Sequence, residues 1–241
     1  MQPNLFYLLQ ATLIGIVPRR RKRYVLSMLK NSFCHVTQWV FDLDNTLYPP
    51  KARLFDQIEV KMCAYVMQSL EVDKATADRL RQKYWLEYGT TLAGLMRVHN
   101  VDPRPYLHEV HDIDLSHLDK DPTLAAAIAA LPGRKIVYTN GTAPYAKRVL
   151  AARGLDQVFE AVYGVEEANF LPKPERGAFE TVFGLDGLPP DQGAMFEDEA
   201  RNLEVPHSLG MKTVHVAPRP LAAPYLDYHT SDLGQFLEKL V

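Results

Sequence analysis

The sequence has a first apolar run at residues 38–41. From residue 121 to residue 216 it alternates between short apolar runs and segments with helical spacing. Short apolar runs bounded by turn residues are typical of buried strands. Alternating strands and helices indicate a parallel sheet with helices on both faces. The predicted strands lie at 38–41, 135–139, 158–164, 194–196 and 212–216. We therefore predict an α/β fold.

The first apolar run ends abruptly at two carboxylates, Asp42 and Asp44. Side chains alternate along a strand, so both carboxylates would point to the same side. At the carboxyl end of a parallel strand, that side is where α/β proteins bind ligands. A solvated acidic turn is the alternative, because Asp44-Asn45 and Pro49-Pro50 are ordinary turn sequences. The stretch by itself leaves both interpretations open.

A long helical insertion separates the first predicted strand from the second. Thr139 lies 97 positions after Asp42, whereas a strand–helix–strand unit takes about 30 residues. The sequence from Ala52 to about His117 has helical spacing and no strand signal. An insertion at this point would lie above the carboxyl ends of the strands and act as a lid. The predicted domains are a core of residues 36–49 and 119–241 and a helical cap of residues 50–118.

The composition is that of a globular protein without an electrostatic footprint for nucleic acid. The hydrophobic fraction is 47% and the formal net charge at pH 7 is −2, so no nucleic acid polymer is expected as a partner. Two cysteines, Cys34 and Cys63, make neither a metal site nor a disulfide framework. They favour a reducing, cytoplasmic setting. Nothing in the sequence specifies an oligomeric state.

Residues 1–35 precede the predicted core and are not assigned any chemistry. The apolar run Leu5–Val17 is shorter than the roughly 20 residues that a membrane span needs. The basic run Arg19–Arg23 follows it, whereas a secretory signal carries its positive charge before the apolar run. We expect a poorly ordered extension. A membrane-surface anchor and a basic binding tail are the alternatives.

Polar groups of complementary type follow four of the predicted strands. They are Asp42 and Asp44 after the first, Thr139 and Asn140 after the second, Lys173 after the third, and Glu197 and Asp198 after the fourth. Taken singly, each is an ordinary turn or surface residue. The carboxyl ends of parallel strands meet at one edge of a sheet, so we expect these side chains to converge there.

Three of these carboxylates, from Asp42, Glu197 and Asp198, would raise one another's pKa unless a cation lay between them. Mg²⁺ prefers oxygen ligands and keeps waters and substrate phosphate in its coordination shell. Lys173 and the Thr139 hydroxyl would supply positive charge and hydrogen bonds opposite the metal. The predicted pocket therefore suits a phosphate dianion.

In such a pocket Asp42 can attack phosphorus and form an aspartyl phosphate. Asp44 can protonate the leaving oxygen and then activate a water molecule as a base. Phosphate monoesters are among the slowest substrates in water. A covalent intermediate, with charge neutralised by the metal and Lys173, addresses that barrier. The sequence thus predicts a magnesium-dependent phosphomonoester hydrolase.

Four motifs resemble, in their order, those of the haloacid dehalogenase-like hydrolases. They are Asp42-Leu-Asp44-Asn-Thr46, Thr139-Asn140, Lys173-Pro174, and Glu197-Asp198 with Asn202. The resemblance covers about residues 36–217. It implies a three-layer, Rossmann-like core with strand order 5-4-1-2-3 and a helical cap of the C1 type, inserted after the first strand.

The resemblance also implies a role for each motif residue. Asp42 is the nucleophile, and Asp44 is the acid/base whose backbone carbonyl binds magnesium. The implied phosphate-binding residues are Thr139, Asn140 and Lys173. The implied metal ligands are Asp42, Asp44, Glu197 and Asp198. Asn202 is implied to lie next to these ligands without binding the metal itself. Many relatives carry two aspartates where this chain has Glu197 and Asp198.

Within this superfamily the chain resembles the pyrimidine 5′-nucleotidase branch. The similar segments are Asp44–Pro49, Tyr84–Met96 and Phe196–Leu203. They imply a small phosphorylated substrate, a pyrimidine nucleoside monophosphate such as UMP or CMP. The predicted substrate contacts in the cap are Tyr88, Gly89, Thr90 and Thr91, with a plain helix–helix turn as the alternative. Another small phosphomonoester, such as a sugar phosphate, and a phosphomutase reaction stay open.

Two other classes fit the motifs less well. A dehalogenase needs a nucleophilic aspartate but neither a metal nor an acid at the second position, so the presence of Asp44 argues against it. A scaffold protein with a vestigial site usually lacks the nucleophile or a metal ligand. This chain retains Asp42 and every candidate ligand.

Overall fold

The computed structural model describes residues 19–241 of the chain. Within them the strands are β1 (Gln38–Phe41), β2 (Arg134–Tyr138), β3 (Ala161–Tyr163), β4 (Gly193–Glu197), β5 (Lys212–Val216) and β6 (Tyr228–Thr230). The α-helices are α1 (Arg19–Ser32), α2 (Leu54–Leu70), α3 (Lys74–Tyr88), α4 (Thr91–His99), α5 (Pro103–Val110), α6 (Pro122–Ala129), α7 (Ala143–Arg153), α8 (Arg176–Asp186), α9 (Glu204–Ser208) and α10 (Leu233–Leu237). Single 3₁₀ turns lie at Pro50–Ala52, Pro190–Gln192 and Ala200–Leu203.

All of these strands are parallel and form one sheet of order β3-β2-β1-β4-β5-β6. Strand β1 lies inside the sheet, with Phe41 level with Val137 of β2 and with Phe196 of β4. The predicted Rossmann-like fold and the order 5-4-1-2-3 are confirmed. The sheet also has a sixth strand beyond β5, whereas the last predicted strand was 212–216. The β6 sequence Tyr228-His229-Thr230 contains no run of apolar residues that would indicate a strand.

Apolar side chains of the inner strands alternate between the two faces of the sheet. Trp39, Phe41 and Phe196 belong to one buried cluster, whereas Val40 and Met195 belong to another. Helices cover both clusters, so the sheet is the middle of three layers. Strands buried on both faces read as continuous apolar runs, which explains why the sequence showed them so clearly.

The described residues between β1 and β2 contain no strand and form helices α2–α5 before α6 returns to the core. Thr90 begins α4 by accepting a hydrogen bond from the Ala93 amide at 3.1 Å. Gly94 permits a very close approach of α4 to α3, because an added Cβ would lie 2.1 Å from Cγ of Tyr84. The two helices therefore pack closely against each other.

A turn precedes α8, which begins at Arg176. Residues 172–175 form this turn, in which the Glu175 amide donates to the Pro172 carbonyl at 2.9 Å. The turn directs Lys173 inward, and its side chain is buried.

From Leu29 onward the chain packs into the core, whereas the sequence predicted a poorly ordered extension up to residue 35. Leu29, Phe33 and Val36 are buried in the core, and the Phe33 ring lies 6.1 Å from that of Trp39. Leu29 and Phe33 are four residues apart, the spacing of one face of a helix, but the basic run before them kept the sequence analysis from predicting a packed helix here. Residues 1–18, with the apolar run Leu5–Val17, lie outside the described residues. None of the described helices is both long enough and apolar enough to cross a membrane.

Candidate active site

The site is centred on Lys173, whose ammonium group joins three strands. Nζ donates to Asp42 Oδ1 at 2.7 Å, to Glu197 Oε2 at 2.6 Å and to the Tyr138 carbonyl at 3.1 Å. Asp42 directly follows β1, Tyr138 ends β2 and Glu197 ends β4. The side chain of Lys173 is only 1% exposed. The structure thus brings together polar groups that are up to 155 positions apart in sequence.

Burial by itself would lower the pKa of Lys173, but the charges of Asp42 and Glu197 outweigh it and raise that pKa, so the ammonium stays charged. Burial and the charge of Glu197 raise the pKa of Asp42 despite the opposing pull of Lys173. Burial, then Glu197 and Asp42, raise the pKa of Asp198 as well. Three acidic groups around one ammonium therefore carry more negative charge than the protein compensates.

The acidic cluster fits a divalent cation. One oxygen from each of Asp42, Glu197 and Asp198 lies within 4.8 Å of the others, in a group that includes two buried residues. Oxygen donors are the ligands that Mg²⁺ prefers. Asn202 is also buried, and its Oδ1 has no hydrogen-bond partner among the described residues. A buried acceptor beside an acidic cluster suits a water molecule in the shell of an ion.

Thr139 and Asn140 lie beside Lys173 at the end of β2. Thr139 is fully buried, and its Oγ1 accepts a hydrogen bond from the Gly141 amide at 3.0 Å. Asn140 Nδ2 donates to the Lys173 carbonyl at 3.1 Å, and Asn140 Oδ1 accepts from the Lys173 amide at 2.8 Å. The Asn140 side chain therefore clamps the loop that presents Lys173.

Asp44 is held by two tyrosines that the sequence did not indicate. The hydroxyls of Tyr48 and Tyr145 both donate to Asp44 Oδ1, at 2.7 and 2.8 Å. Burial, then the charge of Asp42, raise the pKa of Asp44 to about 6, although both hydrogen bonds oppose the rise. Burial, then the charge of Asp44, raise the pKa of each tyrosine, so both hydroxyls remain donors.

A cavity of about 580 Å³ joins the acidic cluster to the helical insertion. Half of its lining residues from the insertion are apolar or aromatic, namely Phe55, Ile58, Met62, Trp85, Leu92, Tyr106, Leu107 and Val110, and the others include the charged Glu59, Asp78 and Arg81. Of the predicted cap contacts, Gly89, Thr90 and Thr91 line the cavity. Tyr88 is not among its lining residues; the Arg97 guanidinium lies over its ring at 5.5 Å. Gly89 approaches the Lys173 loop closely, since an added Cβ would lie 3.2 Å from the Lys173 carbonyl oxygen.

Arg201, which the sequence analysis also missed, links the two halves of the cavity. From the 3₁₀ turn after β4, its guanidinium donates to the carbonyls of Trp85 at 2.8 Å and Gly89 at 3.0 Å. The guanidinium carbon also lies 3.9 Å from the centroid of the Trp85 ring, within cation–π range. No local signal marks such a residue, because its partners are more than 110 positions away.

Comparison with known proteins shows a family and distant relatives. The family described as haloacid dehalogenase-like hydrolase matches residues 39–210, more than half of the chain. Phosphate metabolism protein 8 of Saccharomyces cerevisiae is 26% identical over 187 residues, which cover 71% of this chain and 58% of that protein. The chain thus spans little more than half the length of the yeast relative.

Several solved structures share the fold. The predicted phosphoglycolate phosphatase from Haemophilus somnus has a TM-score of 0.56 at 17% identity, covering 85% of this chain and 97% of its own. YfnB from Bacillus subtilis, solved bound to magnesium, has a TM-score of 0.55 at 15% identity, covering 85% and 98%. L-2-haloacid dehalogenase from Xanthobacter autotrophicus has a TM-score of 0.52 at 17% identity, covering 84% and 97%. With the family match over residues 39–210, the protein belongs to the haloacid dehalogenase-like hydrolases.

Proposed function

We propose that this hydrolase is a magnesium-dependent phosphatase that forms a phosphorylated intermediate on Asp42 and acts on pyrimidine nucleoside 5′-monophosphates. The observation that carries the proposal is the cluster of Asp42, Glu197 and Asp198 oxygens within 4.8 Å, facing the buried ammonium of Lys173. Such a cluster can hold a cation on one side and a phosphate dianion between the cation and Lys173.

The side chains of Asp42, Glu197 and Asp198 would hold Mg²⁺, with the backbone carbonyl of Asp44 as a further ligand. When bound, the ion would neutralise charge on the phosphoryl oxygens. We assign the phosphate-binding groups to Thr139, Asn140 and Lys173. We assign Asn202, with its unpaired buried Oδ1, to the support of the metal ligands.

The proposed reaction has two steps, both carried by residues of this chain. The Asp42 carboxylate forms a bond to phosphorus while the bond from phosphorus to the leaving oxygen breaks. That oxygen takes a proton from Asp44, and the first product leaves. Water then attacks phosphorus, gives a proton to Asp44, and breaks the Asp42–phosphorus bond. Asp42 and Asp44 return to their starting states, and inorganic phosphate is released.

A leaving group without charge fits the half of the cavity that the helical insertion lines. Arg81 is already paired with Glu59 at 3.4 Å and with Asp78 at 3.2 Å. Arg201 is committed to backbone carbonyls of the insertion and to the Trp85 ring. Both arginines in the described lining thus already donate to protein groups, which leaves fewer cationic donors for a second carboxylate or phosphate on the substrate. The apolar and aromatic lining suits the flat base and the sugar of a nucleoside.

We also propose that residues 50–118 act as the cap that selects this leaving group. The helices α2–α5 supply most of the apolar lining of the cavity. Gly89, Thr90 and Thr91 lie where the cap meets the acidic cluster, and we assign substrate contacts to them. The close approach of Gly89 to the Lys173 loop supports this assignment.

A panel of phosphomonoesters tests the proposal. We expect purified protein with Mg²⁺ to release inorganic phosphate from UMP and CMP faster than from ribose 5-phosphate or phosphoglycolate. EDTA and the substitution Asp42→Asn should abolish release, whereas Asp191→Asn, at an exposed turn, should not. Release that survives EDTA or loss of Asp42 would refute the mechanism. A faster reaction with a sugar phosphate would refute the nucleotide assignment, and phosphoryl transfer within a sugar without release would indicate a mutase.

A further inference from the structure

We propose that Tyr48 and Tyr145 are positioning residues that orient Asp44, so that its Oδ2 is the oxygen that exchanges a proton with the leaving group. This inference rests on the proposed phosphatase function and adds two residues to it. Neither tyrosine belongs to the four catalytic motifs, and the sequence analysis gave neither of them a role.

The geometry selects one oxygen of Asp44. Tyr48 and Tyr145 donate to Oδ1 at 2.7 and 2.8 Å, and no described residue donates to Oδ2. A carboxyl oxygen that accepts two hydrogen bonds has both of its lone-pair directions occupied. The proton of a neutral Asp44 must then reside on Oδ2. Asp44 lines the same cavity as Asp42, and we assign Oδ2, the oxygen that accepts from neither tyrosine, to the leaving group.

The two tyrosines come from separate parts of the fold and are themselves rigidly held. Tyr48 follows Asp44 by four residues and is 1% exposed. Tyr145 lies in the first turn of α7 and is also 1% exposed. Its ring stacks on that of His111 with a centroid distance of 4.4 Å and an angle of 14°. The position of Oδ1 is thus determined from two directions.

A neutral aspartic acid that rotated freely would present either oxygen to the leaving group. With Oδ1 fixed by two donors, rotation about the Cβ–Cγ bond would break both hydrogen bonds. The proton transfer is therefore pre-oriented: the Oδ2–H bond breaks, the leaving oxygen gains that proton, and the electron pair stays on Asp44. In the second step the same Oδ2 takes the proton from water.

Two phosphate esters whose leaving groups differ in their need for a proton test this role. An alkyl ester such as UMP needs a proton at its leaving oxygen, whereas the phenol of p-nitrophenyl phosphate departs readily without one. For the double variant Tyr48→Phe, Tyr145→Phe we expect kcat/KM with UMP to fall by about 10- to 100-fold. With p-nitrophenyl phosphate the decrease should stay below about 3-fold, because acid catalysis contributes little to that ester. A merely structural role would lower both values together.

Two controls separate the inference from general damage. Tyr163→Phe removes an equivalent phenol–carboxylate hydrogen bond, to Asp186 at 2.9 Å, away from the site, and should leave both esters unaffected. In an Asp44→Asn background, the tyrosine substitutions should have no further effect on UMP, because they act through Asp44. Equal losses on both esters, no loss on UMP, or additive losses in the Asp44→Asn background would refute the role of the tyrosines. A wild-type enzyme inactive on both esters would instead refute the phosphatase proposal itself.

Discussion

Lys173 and Glu197 form an ion pair with Nζ and Oε2 2.6 Å apart, and each side chain is 1% exposed. The same ammonium lies 2.7 Å from Asp42 Oδ1. Burying two charges costs desolvation free energy, so a buried ion pair does not by itself indicate that the pair stabilises the fold. In the proposed reaction, the pair fixes a positive charge beside the acidic cluster before the substrate binds.

Removal of the Lys173 charge should destabilise the protein strongly. In Lys173→Met the carboxylates of Asp42 and Glu197 lose their buried partner, and we expect the free energy of unfolding to fall by about 3–5 kcal/mol near neutral pH. Denaturant unfolding measures this change. Lys147→Met, at an exposed position on α7, should stay within about 0.5 kcal/mol of wild type. A Lys173→Met loss no larger than that of this control would show that the pair is not buried in solution.

The affinity for Mg²⁺ should rise with pH across a range where ordinary aspartates are already ionised. The pKa values of Asp42 and Asp198 are raised by burial and by neighbouring carboxylates. A metal must therefore displace protons from them, and each fall in pH favours the protons. We expect calorimetric affinities several-fold tighter at pH 8 than at pH 6, with proton release that depends on the buffer. Affinity that is flat over this range would mean that the ligands keep ordinary pKa values near 4.

The core of the site could be predicted because its signals are local. Asp42 directly follows β1, Glu197 ends β4 and Thr139 directly follows β2. A buried parallel strand shows itself as an apolar run, and its carboxyl end has a known place in the fold. Topology then brings the polar ends together without any knowledge of individual contacts. The resemblance to a known family supplied the strand order, which local patterns do not contain.

The rest depends on packing between distant segments. Tyr145 reaches Asp44 across 101 positions, and Arg201 reaches Trp85 across 116. A tyrosine in the first turn of a helix or an arginine in a polar turn carries no mark of such a partner. Tyr48 is only four residues from Asp44, but the following Pro49-Pro50 indicated that Tyr48 was part of a turn. The burial of Phe33 was missed because a basic run precedes it, and its ring contact with Trp39 exists only in the folded structure.

Loss of the Arg201 link should loosen the contact between the acidic cluster and the helical insertion. Arg201→Ala removes two hydrogen bonds from a charged donor and the stacking on Trp85. We expect KM to rise by about 10-fold or more, and backbone amides of residues 85–89 to exchange hydrogen faster. Arg201→Lys should not restore either property, because an ammonium lacks the planar fork that reaches two carbonyls. Arg79→Ala, at an exposed position on α3, is the control, and equal effects of both substitutions would contradict a specific link.

Two glycines at helical positions should respond to alanine in opposite directions. In Gly94→Ala the new Cβ would lie 2.1 Å from Tyr84 Cγ, between α4 and α3, so the helices must move apart. We expect a loss of about 1–3 kcal/mol in the free energy of unfolding. A Cβ at Gly184 of α8 would meet no atom within 4 Å, so Gly184→Ala should instead stabilise the protein by about 0.5–1 kcal/mol through the lower entropy of the unfolded chain. Both values come from denaturant unfolding of the two variants beside wild type. If Gly94→Ala were as stable as Gly184→Ala, the close packing of α3 on α4 would not exist in solution, and the shape of the cavity that these helices line would have to be revised.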